Sequence, residues 1–475
     1  MDFQDFRSQV VESVRNGARL SALFGLPEGA LVAVLSEREI TVLRTRVGDS
    51  YPSLTPDCPP AHWFEREIAE QWAVRPEGHP WLHPIRFHPS YRPGRDAWGR
   101  APEEIRVGCR DFYPVRGEEV HEVAVGPVHA GVIEPGHFRF QCFGEHVFHL
   151  EISLGYQHRG VEPSLVGGPD RRTIHTMETL AGDTSVGHAT AYCQALETLS
   201  RTTVPPRAQA IRAVALELER LANHVGDLGA LANDVAYLPT ASYCGRIRGE
   251  FLNLTALLCG NRLGRRLVRP GGVACDLDQP QALVARLRAA MTDAEVAVDL
   301  LWKSRSVTAR FEETGAVSFP VARDLGLVGP AARASGLSVD VRRDHPSGAY
   351  VGLSVPVHTL TTGDVYARAR VRWLEMQTSA RLIETLVERL PSGALLEPPG
   401  DLAPDSTAVS LVEGWRGEIC HVAQTGPDGR FRAYKVVDPS FHNWMGLAMA
   451  LRGQEISDFP LCNKSFNLSY CGHDL

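Results

Sequence analysis

From Arg207 to about Gly229 the chain runs without a proline, directly behind Pro205-Pro206, and four polar residues, Glu217, Arg220, His224 and Asp227, recur at i, i+3, i+7 and i+10. That spacing puts them close to one face of a helix. Ala213, Val214, Leu216, Leu218, Leu221 and Leu228 cover much of the rest of its circumference, so the row is expected to be buried rather than solvated. Such a helix needs a large core around it in which each charge finds a partner. The row reads either as a set of proton-relay candidates or as a structural ion-pair network.

A chain of 475 residues can supply that core and is expected to form two or more domains. A net charge of -7, with Lys and Arg spread throughout, offers no basic patch for nucleic acid. No apolar run approaches the roughly 18 residues of a membrane span, and the N-terminal MDFQDFRSQVVESVRNGARL has no signal-peptide pattern. A soluble chain that meets a membrane only through partners is expected. The ten cysteines stand singly, Cys109 among them, with no C-x-x-C pair; zinc and iron–sulfur sites usually draw on such pairs, and the pattern suits a reducing compartment. No glycine-rich phosphate loop follows a strand, so no nucleotide site is expected.

Residues 1–117 read as a small α/β domain with a linker, and 118–475 as a second, mostly helical domain with small antiparallel β elements, an α+β chain as a whole. In the first, LVAVLSEREITVLRTR (Leu31 to Arg46) reads as strands and WFEREIAEQWAV (Trp63 to Val74) as an amphipathic helix ended by Arg75-Pro76. Arg92 to Glu119, rich in Pro, Gly and charge, reads as the linker. In the second, HFRFQCF and HVFHLEI flank Gly144-Glu145 as a hairpin. Helices are expected over Gln279 to Thr314 and over Asp364 to Leu390, the latter capped by Thr361-Thr362-Gly363. Ser410 to Val437 reads as a hairpin around Pro427-Asp428-Gly429.

Several longer strings carry a family resemblance. GPVHAGVIEPGHFRF (Gly126 to Phe140), GYQHRGVE (Gly155 to Glu162), LERLANHVGDLGALANDVAY (Leu218 to Tyr237) and VVDPSFHNW (Val436 to Trp444) resemble the large subunit of energy-converting nickel-iron hydrogenases of the formate hydrogenlyase and hydrogenase-4 type. That subunit is itself similar to the quinone-site subunit of respiratory complex I. WFEREIAEQWAVRPEGHPWL resembles the small soluble complex I subunit that is fused to it or docks on it, here in what looks like a truncated copy.

The resemblance implies a metal held by two cysteine pairs, and this chain departs from that pattern. Registering LAGDTSVGHATAY on Gly182, His188, Ala191 and Tyr192 puts Ala181 and Thr184 at the first pair; KSFNLSYCGHDL puts Ser469 and Gly472 at the second, with Cys471 one residue out of register. Alanine and glycine offer no donor and hydroxyls are poor ligands for nickel, so no nickel-iron centre is expected. Complex I relatives lack these cysteines too, and there the vacated space takes the quinone headgroup. By that resemblance His129 falls on the loop that supplies a quinone-bonding histidine, and Thr179 stands where a quinone-bonding tyrosine is expected. His129, Asp183 and His137 are therefore the candidate catalytic groups, with His129, Thr179, Ala181 and Thr184 lining the pocket. Asp183 could equally cap a helix starting at Thr184. Arg159 and Glu162 have the same two readings as the row on the Arg207 helix.

The function expected is that of a subunit in a membrane-associated, hydrogenase-related or NADH–quinone oxidoreductase-like complex, coupling electron transfer to proton or ion movement. The alternatives are a structural coupling subunit without chemistry of its own and an active hydrogenase with an altered site. The resemblance implies a small iron–sulfur partner subunit and antiporter-like membrane subunits, with this chain cytoplasmic on the inner face of the cell membrane; no cofactor is expected on the chain, a quinone being the one possible ligand.

Overall fold

The computed structural model describes every residue except 109–110 and 130–132. Cys109, part of the linker stretch and the centre of the Gly126–Phe140 string lie outside the described residues. The alternating apolar residues near the N-terminus form an antiparallel sheet of Arg19–Gly25, Ala30–Ser36 and Ile40–Arg46 in sequential order, as the pattern suggests. Helix Phe3–Arg15 buries Phe6, Val10 and Val11, and Asp2 caps it through the Asp5 amide.

The helix expected from Trp63 spans His62–Trp72 and stops short of Pro76. Ala73 takes a left-handed conformation, after which Arg75–Glu77 pairs in parallel with Ser50–Pro52. Trp63 to Gln71 are all buried, charges included. Each charge has its own partners: Glu67 receives Lys435 Nζ at 2.7 Å and pairs with Arg86, Glu65 accepts from Ser53 and Thr55, Arg66 donates to the His83 and Pro84 carbonyls, and Glu70 accepts from the amides of Ile85, Arg86 and Phe87. One apolar cluster runs from Phe6 to Leu475, so this layer and the rest of the chain share a core.

Helices dominate that core. Pro206–Asp234 packs against Leu238–Cys259 and Val365–Glu388, and Ser185–Ser200 lies against the sheet of Thr407–Gly414, Gly417–Thr425 and Phe431–Val437. This sheet has three antiparallel strands where the sequence suggested a hairpin, because Thr407–Gly414 turns tightly at Trp415-Arg416 into the next strand. The other hairpin is present as His137–Phe143 and His146–Ser153, with Val120–Val125 added alongside. Two helix expectations are corrected. The stretch from Gln279 breaks at Ser304, an extended residue between Pro280–Lys303 and Arg305–Phe311. The later helix is capped by Asp364, whose carboxylate accepts from the Ala367 amide, and not by Thr361 to Gly363.

Candidate functional site

Two distant segments, Thr179–Thr184 and Ser469–Gly472, are stitched together by one side chain. Arg159 donates to the Thr179 and Leu180 carbonyls at 2.9 Å each and to the Cys471 carbonyl at 3.0 Å. The C-terminal turn is fixed from the same side: the Asp474 carboxylate accepts from the Gly155 and Gln157 amides at 2.8 and 2.9 Å. Gly155 has φ +98°, and a β-carbon there would stand 2.6 Å from the Arg86 carbonyl oxygen, so this contact requires glycine.

The four positions where the family resemblance expected cysteine come together. A β-carbon on Gly472 would lie 2.8 Å from the Asp438 carboxyl carbon, 2.9 Å from Ser469 Oγ and 3.0 Å from Ala181 Cβ. Thr184 joins through Arg416, whose Nη1 donates to Thr184 Oγ1 at 3.3 Å and to the Gly182 carbonyl at 2.9 Å, while its Nε donates to the Asn467 carbonyl at 2.6 Å. The Trp415 indole donates to Thr184 Oγ1 at 3.1 Å and stacks under the Arg416 guanidinium. These positions carry a methyl group, two hydroxyls and a glycine hydrogen, with Cys471 Sγ beside them 3.5 Å from Ser469 Oγ. Burial and the nearby Glu134 carboxylate push the Cys471 thiol up, away from the thiolate form that binds soft metals. This set does not fit a four-thiolate nickel site.

The loop carrying His129 leans on the same C-terminal turn. Glu134 accepts from the Tyr470 and Cys471 amides at 3.4 and 3.3 Å. Within the loop His129 Nε2 is 3.0 Å from the Gly136 carbonyl oxygen, and His137 Nδ1 is 3.4 Å from that of Gly126. Asp183, in a left-handed conformation, sends its carboxylate to Arg248 at 2.6 Å, while its carbonyl accepts from Asn223 and Trp415. His129 and Asp183 thus have different partners. The Thr179 hydroxyl is exposed and donates back to its own turn, 3.0 Å from the Thr176 carbonyl oxygen.

Helix Ser185–Ser200 has Thr184 at its N-cap without a side-chain bond, so Asp183 does not cap it. Glu219 does so from the neighbouring helix, accepting from the Val186 and Gly187 amides at 2.7 and 3.2 Å. Burial raises this carboxyl to about 8, against those two bonds.

The polar row is buried as expected, and every member is engaged. Glu217 accepts from Arg342, Arg220, Tyr350 and Ser379; Arg220 also donates to the Glu413 and Gly414 carbonyls. His224 donates to Glu375 at 2.8 Å, and Glu375 is held at 2.7 Å by Arg333. Asp227 pairs with Arg372 at 2.7 Å and accepts from Asn467. Burial opposes the charge on Glu217, but Arg342 and Arg220 outweigh it and hold the carboxyl low; burial lowers His224 despite Glu375. At one end of this network Arg342, Tyr350 and Glu413 line a cavity of about 780 Å³. Sequence reasoning did not reach Arg416, Trp415, Asp438 or Glu219, since each acts across the fold; Asp438 ahead of Pro439 was readable only as a helix start.

Comparison with known proteins places this architecture. Residues 16–99 match the model of the respiratory-chain NADH dehydrogenase 30 Kd subunit, and residues 234–400 that of the 49 Kd subunit. Formate hydrogenlyase subunit 5 of Escherichia coli (strain K12) is 30% identical, covering 98% of this chain and 87% of its own length. The chain belongs to this family of hydrogenase large subunits and related NADH dehydrogenase subunits. The carbon monoxide-induced hydrogenase of Rhodospirillum rubrum is 31% identical over 73% of the chain and 97% of its own length. An NADH-quinone oxidoreductase subunit of Solibacter usitatus is 30% identical over 66% of the chain and 86% of its own. A subunit of the membrane-bound sulfane sulfur reductase, an archaeal respiratory membrane complex, superposes with a TM-score of 0.69 at 24% identity, over 76% of this chain and 100% of that one, a likeness of fold. Among the described residues no helix is long and apolar enough to cross a membrane.

Proposed function

We propose that this family member works as a redox-complex subunit without a nickel-iron centre. In this reading it couples electron transfer, from an iron–sulfur partner subunit to quinone or another small acceptor, to proton or ion movement by antiporter-like membrane partners on the cytoplasmic face. The observation that carries it is the convergence of Ala181, Ser469 and Asp438 on Gly472, with methyl, hydroxyl and hydrogen at 181, 469 and 472 where thiolates would be needed. His129 would offer the acceptor an imidazole donor from the loop above, and His137 would support that loop. A proton role for Asp183 requires its pair with Arg248 to open, and a relay along Glu217, Arg220, His224 and Asp227 requires His224 to exchange its proton, since arginines stay charged. Purifying the native complex and identifying its subunits, metals and extractable quinone tests the reading; stoichiometric nickel with hydrogen uptake would overturn it.

A second reading, a coupling subunit without chemistry of its own, draws on two observations. Asp438, Ser469 and Ala181 crowd the space at Gly472, and Thr179 spends its hydroxyl on its own turn. Unchanged turnover in an assembled His129→Ala complex would favour it.

A further inference from the structure

Four buried side chains outside the polar row form a single file that ends at the emptied position. Asp438 Oδ2 is 3.1 Å from His188 Nε2, His188 Nδ1 is 3.0 Å from His421 Nε2, and His421 Nδ1 is 2.8 Å from the Tyr434 hydroxyl. All four are at most 4% exposed. They come from four separate elements: His188 from Ser185–Ser200, His421 and Tyr434 from the adjacent strands Gly417–Thr425 and Phe431–Val437, and Asp438 from the cap of Pro439–Ala450. The other Asp438 oxygen accepts from the Ser440 amide at 2.8 Å, so the carboxylate is fixed with its carbon against the Gly472 position.

We propose that this file is a proton wire serving the emptied site, with Asp438 as its inner terminus. Each imidazole has one nitrogen toward each neighbour; with Asp438 ionised three hydrogen-bond polarities satisfy the file, and setting aside the one that charges His421, which burial disfavours, two remain. In the first, Tyr434 donates to His421 Nδ1, His421 Nε2–H donates to His188 Nδ1, and His188 Nε2–H donates to Asp438. In the second, His188 carries both protons and donates to Asp438 and to His421 Nε2, while His421 Nδ1–H donates to Tyr434. The second polarity holds one proton more than the first. Passage between them moves that proton from the Tyr434 end to His188; transfer of His188 Nε2–H to the Asp438 carboxylate then delivers it to the pocket wall. Tyr434 recovers its own proton from outside, so one proton enters and one is delivered.

The electrostatics suit this assignment. Burial, with His188 beside it, lowers His421 well below its ordinary value, while His188 is the imidazole bonded directly to a carboxylate. Burial would raise Asp438, but the bond from His188, the Arg416 charge and the Ser440 amide outweigh it and hold the carboxyl low. Outward of Tyr434 the Tyr192 ring lies 6.3 Å away, near Thr173, whose hydroxyl donates at 3.1 Å to the exposed Asp170. The proposal rests on the redox reading above only for the use made of the proton.

Histidine-selective ¹⁵N labelling of the full chain tests it without any activity, with His188→Gln and His421→Gln serving for assignment. On acidification, over the pH range in which circular dichroism shows the fold intact, His421 should switch from the Nε2–H to the Nδ1–H tautomer in the same step in which His188 gains its second proton. Tyr434→Phe should abolish the His421 switch while circular dichroism stays unchanged. A His421 that keeps one tautomer throughout, or a switch unlinked to His188, overturns the wire in the wild-type protein alone, whether or not the variants fold. If the wire is confirmed and the purified complex lacks acceptor-reducing activity, the redox reading fails and the wire stands.

Discussion

Gly472 and Ala181 face each other so closely that a β-carbon on Gly472 would stand 3.0 Å from that of Ala181, and 2.8 Å from the Asp438 carboxyl carbon. Two segments far apart in the sequence are thus locked side by side, with Arg159 as the bolt.

Gly472→Ala forces a methyl group into that contact and should lower stability by about 1–3 kcal/mol, the usual cost of overpacking. Denaturant midpoints at unchanged slope measure it. Gly472→Cys should cost at least as much and bring no nickel, since one added thiol beside Ala181 and Thr184 leaves the donor set incomplete.

The buried ion pairs predict a larger penalty. Removing the Glu375 charge by Glu375→Gln leaves Arg333 and His224 without their shared carboxylate, and breaking such a pair typically costs about 3–5 kcal/mol. Asp183→Ala, whose pair with Arg248 is more than a third exposed on the aspartate side, should cost under about 1 kcal/mol. Equal losses in the two variants, read by chemical denaturation, would contradict this ordering.

Glu219 gives a pH dependence with a definite sign. Burial raises its folded-state carboxyl to about 8 from 4.5, so the folded chain holds a proton that the unfolded chain releases. Its stabilising contribution is complete below the unfolded value and is lost as pH rises toward about 8, with a slope of at most about 1.4 kcal/mol per pH unit. Glu219→Gln should remove that slope, detectable by comparing melting midpoints of the two proteins across this window.

The sequence carried the large-scale organisation because periodicity acts locally: proline at Pro205-Pro206 opens the central helix, alternation from Leu31 to Arg46 makes strands, and burial of Glu217, Arg220, His224 and Asp227 follows from their apolar surroundings. Ala181 and Ser469 lie around Gly472, with Thr184 tied to the same place through Arg416. What escaped were partners chosen by tertiary geometry. Asp183 is adjacent in sequence to the pocket yet bonds Arg248, while Glu219 reaches across to cap a helix that Asp183 or Thr184 was expected to start. His188 was visible only as a register mark, because its bonds to Asp438 and His421 join residues more than 200 positions apart.

Metal analysis of the native complex, purified from cells that mature nickel-iron enzymes, decides whether the site around Gly472 holds nickel. Iron from a partner subunit's clusters, nickel far below one atom per chain and no hydrogen uptake are expected. One nickel per chain together with hydrogen-dependent dye reduction would contradict it.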